Sequence, residues 1–230
     1  MLAAIAAILY GFRRLLPSAP LLPACVIGAF SLMGGGVFTP GSFDHHNTQT
    51  ALALWITALL LPGPGAIRNH AVAGVLAAAM LAIGMETLPY VLTGAAFVAL
   101  SLAVSNEAAK TARAFGISLA ASIAVLYAAL VGADRYGVNA CDGFSLFHLV
   151  TAGCGGLLLA FLAQMCLIPK TTQFRLAGIA GIGAVAGLVV VLVHADEVAL
   201  GSERVLEREP RADLEARGQH DDPREQRARG

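Results

Sequence analysis

Eight stretches of this chain contain no Asp, Glu, Lys or Arg: residues 2–12, 18–38, 50–62, 71–85, 88–105, 114–133, 146–168 and 176–193. A soluble domain needs charged side chains on the outward face of each helix or strand, and these stretches leave no such face. The first 193 residues hold only 13 charged side chains, and the chain is 57% apolar and 13% charged. Composition and pattern together exclude a soluble globular enzyme. A bilayer presents a hydrocarbon core of about 30 Å, which takes roughly 20 apolar residues to cross as a helix. The runs are continuously apolar and rich in Ala and Leu, so they read as helices rather than as the alternating strands of a barrel. The expected fold is all-α: a polytopic transmembrane helix bundle of seven or eight spans over residues 1–193, embedded in the lipid bilayer. Runs 2–12, 50–62 and 71–85 are short and must borrow flanking residues, lie obliquely or remain incomplete.

The cations set the expected orientation. Arg13, Arg14, Arg68, Lys110, Arg113, Lys170 and Arg175 fall in every second loop, and the loops between contain one cation, Arg135, against Asp44, Glu86, Asp134 and Asp142. Lys and Arg accumulate on the cytoplasmic side. The expectation is therefore an integral, multi-pass protein of a bacterial inner (plasma) membrane, with the Asp44 loop outside. Glycines at 34–36, 155–156 and 178, 181, 183 and 187 mark places where helices could approach closely, with packing as their plainest use.

Residues 194–230 are different in kind, holding seven of the 15 basic and ten of the 15 acidic residues without an aromatic side chain. They read as a solvated, disordered tail. A formal net charge of zero, with few cations on any face, argues against nucleic acid as a partner. Cys25, Cys141, Cys154 and Cys166 form no CxxC pair, so neither a disulfide framework nor a zinc ribbon follows. The N-terminus puts its apolar run before its arginines and makes a poor signal peptide.

One dense polar cluster interrupts the apolar part: Gly41-Ser42-Phe43-Asp44-His45-His46-Asn47-Thr48-Gln49-Thr50. In an extended loop alternate side chains share a side, which puts Asp44 with His46 and turns His45 away. A carboxylate and an imidazole converging in that way suit a divalent ion, Mn²⁺ or Mg²⁺ first and Zn²⁺ as a further option. The plainer reading is a polar loop in which Asp44 or Thr48 caps the next helix. Density favours the functional reading, because ionisable groups at membrane depth are candidates for function by default. Glu86 is a lone carboxylate at the outer end of a helix. It could complete the ion's shell, orient an acceptor or serve as a catalytic base, or it is simply a helix-end acid before the break at Pro89. The turn from Asp134 to Gly143 reads as solvated, with Asp134 neutralised by Arg135. His70, His148 and His194 stand alone near segment ends and receive no role.

An Asp-His-His motif in an outer loop between two transmembrane helices resembles the second acidic motif of the GT-C glycosyltransferases. The likeness is greatest to the catalytic subunit of oligosaccharyltransferases and to bacterial polyprenyl-phosphate-sugar transferases. The resemblance implies a metal-assisted transferase that moves a sugar from a polyprenyl-phosphate-linked donor to an unidentified acceptor on the outer face. It also implies that Asp44 and His46 are metal ligands and that His45 neighbours the donor phosphate. Two other families share these letters without the context: the acyltransferases need a cysteine where Asn47 stands, and the soluble phosphoesterases need an α/β domain. The family's first acidic motif and its Trp-Trp-Asp-Tyr-Gly type acceptor motif are not found, and the only Trp is Trp55. The chain is accordingly expected to be a segment of such an enzyme, inactive alone. The rival expectation is a non-catalytic membrane protein, either a small-solute permease or a degenerate remnant. Apolar segments nearly free of ionisable groups weigh against the permease.

Overall fold

A backbone segment without polar side chains satisfies its own N–H and C=O groups most completely as a helix, and each apolar run takes that form. The computed structural model describes residues 1–36, 38, 44–63, 65–137, 143–167, 171–185, 187, 188 and 191. Gly41, Ser42, Phe43, Cys141, Asp142, Lys170 and the 194–230 tail, all named above, lie outside the described residues. Among the described residues the fold is all-helical: α1 Leu2–Leu15, α2 Leu21–Gly34, α3 His45–Leu60, α4 Ile67–Ile83, α5 Leu88–Val104, α6 Ala109–Leu130 and α7 Leu146–Met165, then a helical stretch over 172–185. Two helical segments, Asn106–Leu130 and Leu146–Met165, are both long and apolar enough to cross a membrane. Helices α2, α4 and α5 are apolar but only 14 to 17 residues long.

Proline and short polar side chains set the helix ends. Pro20 stands at the N-cap of α2, and Pro89 lies in the first turn of α5, where its missing N–H costs nothing. Gly63 and Gly65 follow α3 with φ of 71° and 110°, a left-handed turn that an L side chain would strain. Helix α7 opens with a reciprocal cap: Ser145 accepts from the backbone of His148, and the His148 ring accepts from the Ser145 N–H at 3.2 Å. His148 thus has a structural task.

Helix α6 is the centre of the packing, laid against α4 on one side and α7 on the other, while α3 joins α4 to α1. Phe115, Leu119 and Ile123 of α6 meet Ala73, Ala77 and Met80 of α4 and Leu159 and Ala163 of α7 in one buried cluster. Small residues make this approach possible. A Cβ on Gly74 would collide with Ser118 Oγ and lie 2.6 Å from the Phe115 carbonyl oxygen, and one on Gly156 would lie 2.7 Å from that of Gly116. Of the glycines singled out in the sequence, Gly156 and Gly178 are at such contacts, whereas Gly34, Gly155, Gly181, Gly183 and Gly187 face open space.

The outward surface carries many large apolar side chains, Leu22, Ile27, Phe30, Val125 and Phe161 among them. Cations gather at one end of the bundle. Tyr10 Oη accepts from Arg14 at 3.1 Å and from Asn69 at 3.0 Å, tying the end of α1 to the start of α4. Arg113 donates to Gln164 Oε1 at 2.6 Å, tying the start of α6 to the end of α7. The start of α3 and the end of α4 lie at the opposite end of those helices, and there the polar cluster sits.

Candidate metal centre

Residues 45–50 are helical rather than extended, which corrects the expected alternation of side chains. Asp44 occupies the N-cap position with φ −114° and ψ 150°, and its carbonyl accepts from the Asn47 N–H at 3.0 Å. Its carboxylate does not cap the helix. It turns instead to the His45 ring, with Oδ1 2.6 Å from Nδ1. Successive residues on a helix are rotated by about 100°, so His45 and His46 splay less than in a strand. Their rings lie 4.1 Å apart between centroids, tilted by 36°. His45, expected to point away, therefore belongs to the cluster.

Glu86 arrives from a second element. Helix α4 ends at Gly84, and a single 3₁₀ turn, Met85–Thr87, carries the carboxylate back over the start of α3. The buried Thr87 hydroxyl donates to the Gly84 carbonyl at 2.8 Å and approaches that of Met80 at 3.3 Å, which pins the turn. Glu86 Oε2 then lies 3.5 Å from both His45 Nε2 and His46 Nδ1. The helix-end acid and the Asp-His-His motif share one site.

Two carboxylates and two imidazoles meet in this cluster. With Asp44 accepting from His45 Nδ1–H, the Nε2 of that ring faces Glu86 Oε2. His46 Nδ1 has two acceptors near it, Gln49 Oε1 at 3.1 Å and Glu86 Oε2 at 3.5 Å, so the proton belongs on Nδ1. Its Nε2 faces Asp44 Oδ2 at 3.9 Å. One ligand atom each from Asp44, His45 and His46 lies within 4.8 Å of the others. Ligands about 2.0–2.2 Å from a zinc-sized ion sit roughly 3–3.5 Å from one another, so a modest rotamer adjustment brings the three around one ion. A set of imidazole nitrogens and carboxylate oxygens has the composition that divalent transition ions bind. Asp44, His45 and His46 are thus a group that could hold a divalent ion, and the side chains remain open at 44 to 50% exposure.

Sequence reasoning missed Gln49. It stands three residues after His46 on the same helix face and is one of the few buried polar side chains, 4% exposed. The spacing His46-x-x-Gln49 was the available signal. The remaining candidates do not join the centre. Asp134 and Arg135 form an exposed pair at 3.9 Å, and His70 is a buried residue whose Nδ1 meets the Ala66 carbonyl oxygen at 3.1 Å.

No protein family, curated protein or solved structure matches this chain.

Proposed function

We propose that this chain is a multi-pass membrane protein of seven or eight crossings, resident in a bacterial inner membrane, whose outer end binds a divalent ion and transfers a sugar from a polyprenyl-phosphate-linked donor. The membrane reading is supported by the apolar outward surface and by the gathering of Arg14, Arg68, Lys110 and Arg113 at the end opposite Asp44. One observation carries the site: Glu86, 40 residues beyond His46 in the chain, reaches 3.5 Å from both imidazoles. An exposed acid of no use to the fold would not need a turn pinned by a buried threonine to bring it there.

The roles are those that the Asp-His-His resemblance implies. Asp44 and His46 would hold the ion, with Glu86 at its edge and His45 toward the donor phosphate. When bound, the ion supplies positive charge against the oxygen that leaves as phosphate. In the transfer, an acceptor hydroxyl or amide forms a bond to the sugar's anomeric carbon while the bond from that carbon to the phosphate oxygen breaks. The phosphate keeps the electron pair, and Glu86 takes the acceptor's proton. Beside the site an apolar groove of about 380 Å³ runs between α3 and α5, lined by Ala53, Ile56, Thr57, Tyr90, Thr93 and Phe97. It starts one turn past Glu86 on α5, and its apolar lining suits an isoprenoid chain.

The test is transfer of a labelled sugar from a polyprenyl-phosphate donor by membranes containing the full chain, in the presence of Mn²⁺. Asp44→Ala should abolish transfer without loss of membrane insertion, and Glu86→Gln should reduce it by at least 100-fold. Transfer unchanged in Asp44→Ala would refute the assignment. Saturable solute uptake by proteoliposomes, with no binding of a polyprenyl phosphate, would favour a permease.

A further inference from the structure

We propose that Gln49 is the positioning residue of this centre: it fixes the His46 ring so that Nε2 faces the ion, and it keeps Glu86 from being spent on that task. The inference rests on the metal reading above. It begins from an anomaly. Gln49 is buried, yet its Nε2 has no hydrogen-bond partner. A buried amide donor left unmade is costly, and a methionine or leucine would fill the same space without that cost. The residue's retention of an amide is explained by its other end. Oε1 lies 3.1 Å from His46 Nδ1, close enough to accept the N–H and set the tautomer that leaves Nε2 free.

The amide is also held from behind. Gly84 closes α4 directly against it, so that a Cβ there would stand 2.9 Å from Gln49 Nε2. Gln49 is thereby seated between the start of α3 and the turn that carries Glu86, and it sets both against each other. Glu86 Oε2 is the other acceptor near His46 Nδ1, at 3.5 Å. Without Gln49 the carboxylate would close on that N–H and be drawn away from the edge of the ion. Orienting partners of this kind are worth 10- to 100-fold in metal affinity.

The experiment uses the full chain in detergent or nanodiscs, with Mn²⁺ as the probe, and reads the free-ion electron paramagnetic resonance signal together with the ¹⁴N couplings of the bound ion. Gln49→Met, which keeps the volume, should bind Mn²⁺ about 10- to 100-fold more weakly and show an altered imidazole coupling. Gln49→Glu, which keeps an acceptor oxygen, should stay within a few-fold of wild type. Gly84→Ala changes no ligand but intrudes on the amide, and should shift the affinity in the same direction as Gln49→Met. Thermal melting of each variant reports folding separately. Wild-type affinity and couplings in Gln49→Met would overturn the proposal, as would equal weakening by Met and Glu. If wild type itself binds no Mn²⁺, the metal reading falls first and the positioning role falls with it.

Discussion

At the crossing of α6 and α7, Gly116 and Gly156 face each other so closely that a Cβ on Gly156 would lie 2.7 Å from the Gly116 carbonyl oxygen. Where α3 starts and α4 ends, four side chains with lone pairs or charges keep 44 to 62% of their surface exposed. The first region is held by contact and contributes no chemistry. The second contributes little to packing, yet it joins two separate chain segments. Residues kept for stability are buried and intolerant of an added methyl; residues kept for reactivity are open and their removal leaves the scaffold standing. The contrast is what favours the proposal that Asp44, His45, His46 and Glu86 serve function rather than packing.

The largest effect should come from breaking the packed region. Gly116→Leu forces α6 off α7 and should destabilise the folded chain by about 1–3 kcal/mol or more, visible as a lowered melting temperature in detergent. Gly155→Leu is the control, since a Cβ there meets nothing within 4 Å, and it should melt close to wild type. Equal losses at 155 and 116 would mean that the crossing is not held by close approach.

Between the two regions stands Thr87, buried beneath the Glu86 turn. Thr87→Val removes the hydroxyl's contacts with the Gly84 and Met80 carbonyls and should cost about 1 kcal/mol. It should also weaken Mn²⁺ binding, because the turn that aims Glu86 is loosened. A melting shift with unchanged binding would separate the turn from the site.

Smallest in stability should be Asp44→Asn and Glu86→Gln. Both groups are well exposed, and exposed ion pairs are worth little, so each variant should melt within about 0.5 kcal/mol of wild type. A large destabilisation at either position would return the cluster to the scaffold and undo the contrast.

How far these regions could be read from sequence differs for physical reasons. The helices were legible because a charge-free run has few other ways to satisfy its backbone, and every run falls on a helix. The boundaries moved where polar residues begin a helix: the run at 50–62 corresponds to α3 starting at His45, five residues earlier. That shift changes which side chains converge, bringing His45 in. The Asp-His-His cluster was visible as composition, and Glu86 as a lone acid, but their meeting depends on how α4 returns beside α3, which no local pattern encodes. Gly74 and Gly116 were hidden for a similar reason, since a glycine's importance is set by the neighbouring helix. His148 could have been read from Ser145-x-x-His148, a capping arrangement with an unusual third residue.

The central proposal is that Asp44 and His46 hold one divalent ion with Glu86 at its edge, and a Mn²⁺ titration of the full chain followed by electron paramagnetic resonance tests it most directly. The account predicts a single saturable ion in wild type, bound at least tenfold more weakly in Glu86→Gln and lost in Asp44→Ala, with both variants folded. No saturable binding in wild type, or the same binding after Asp44→Ala, would contradict it.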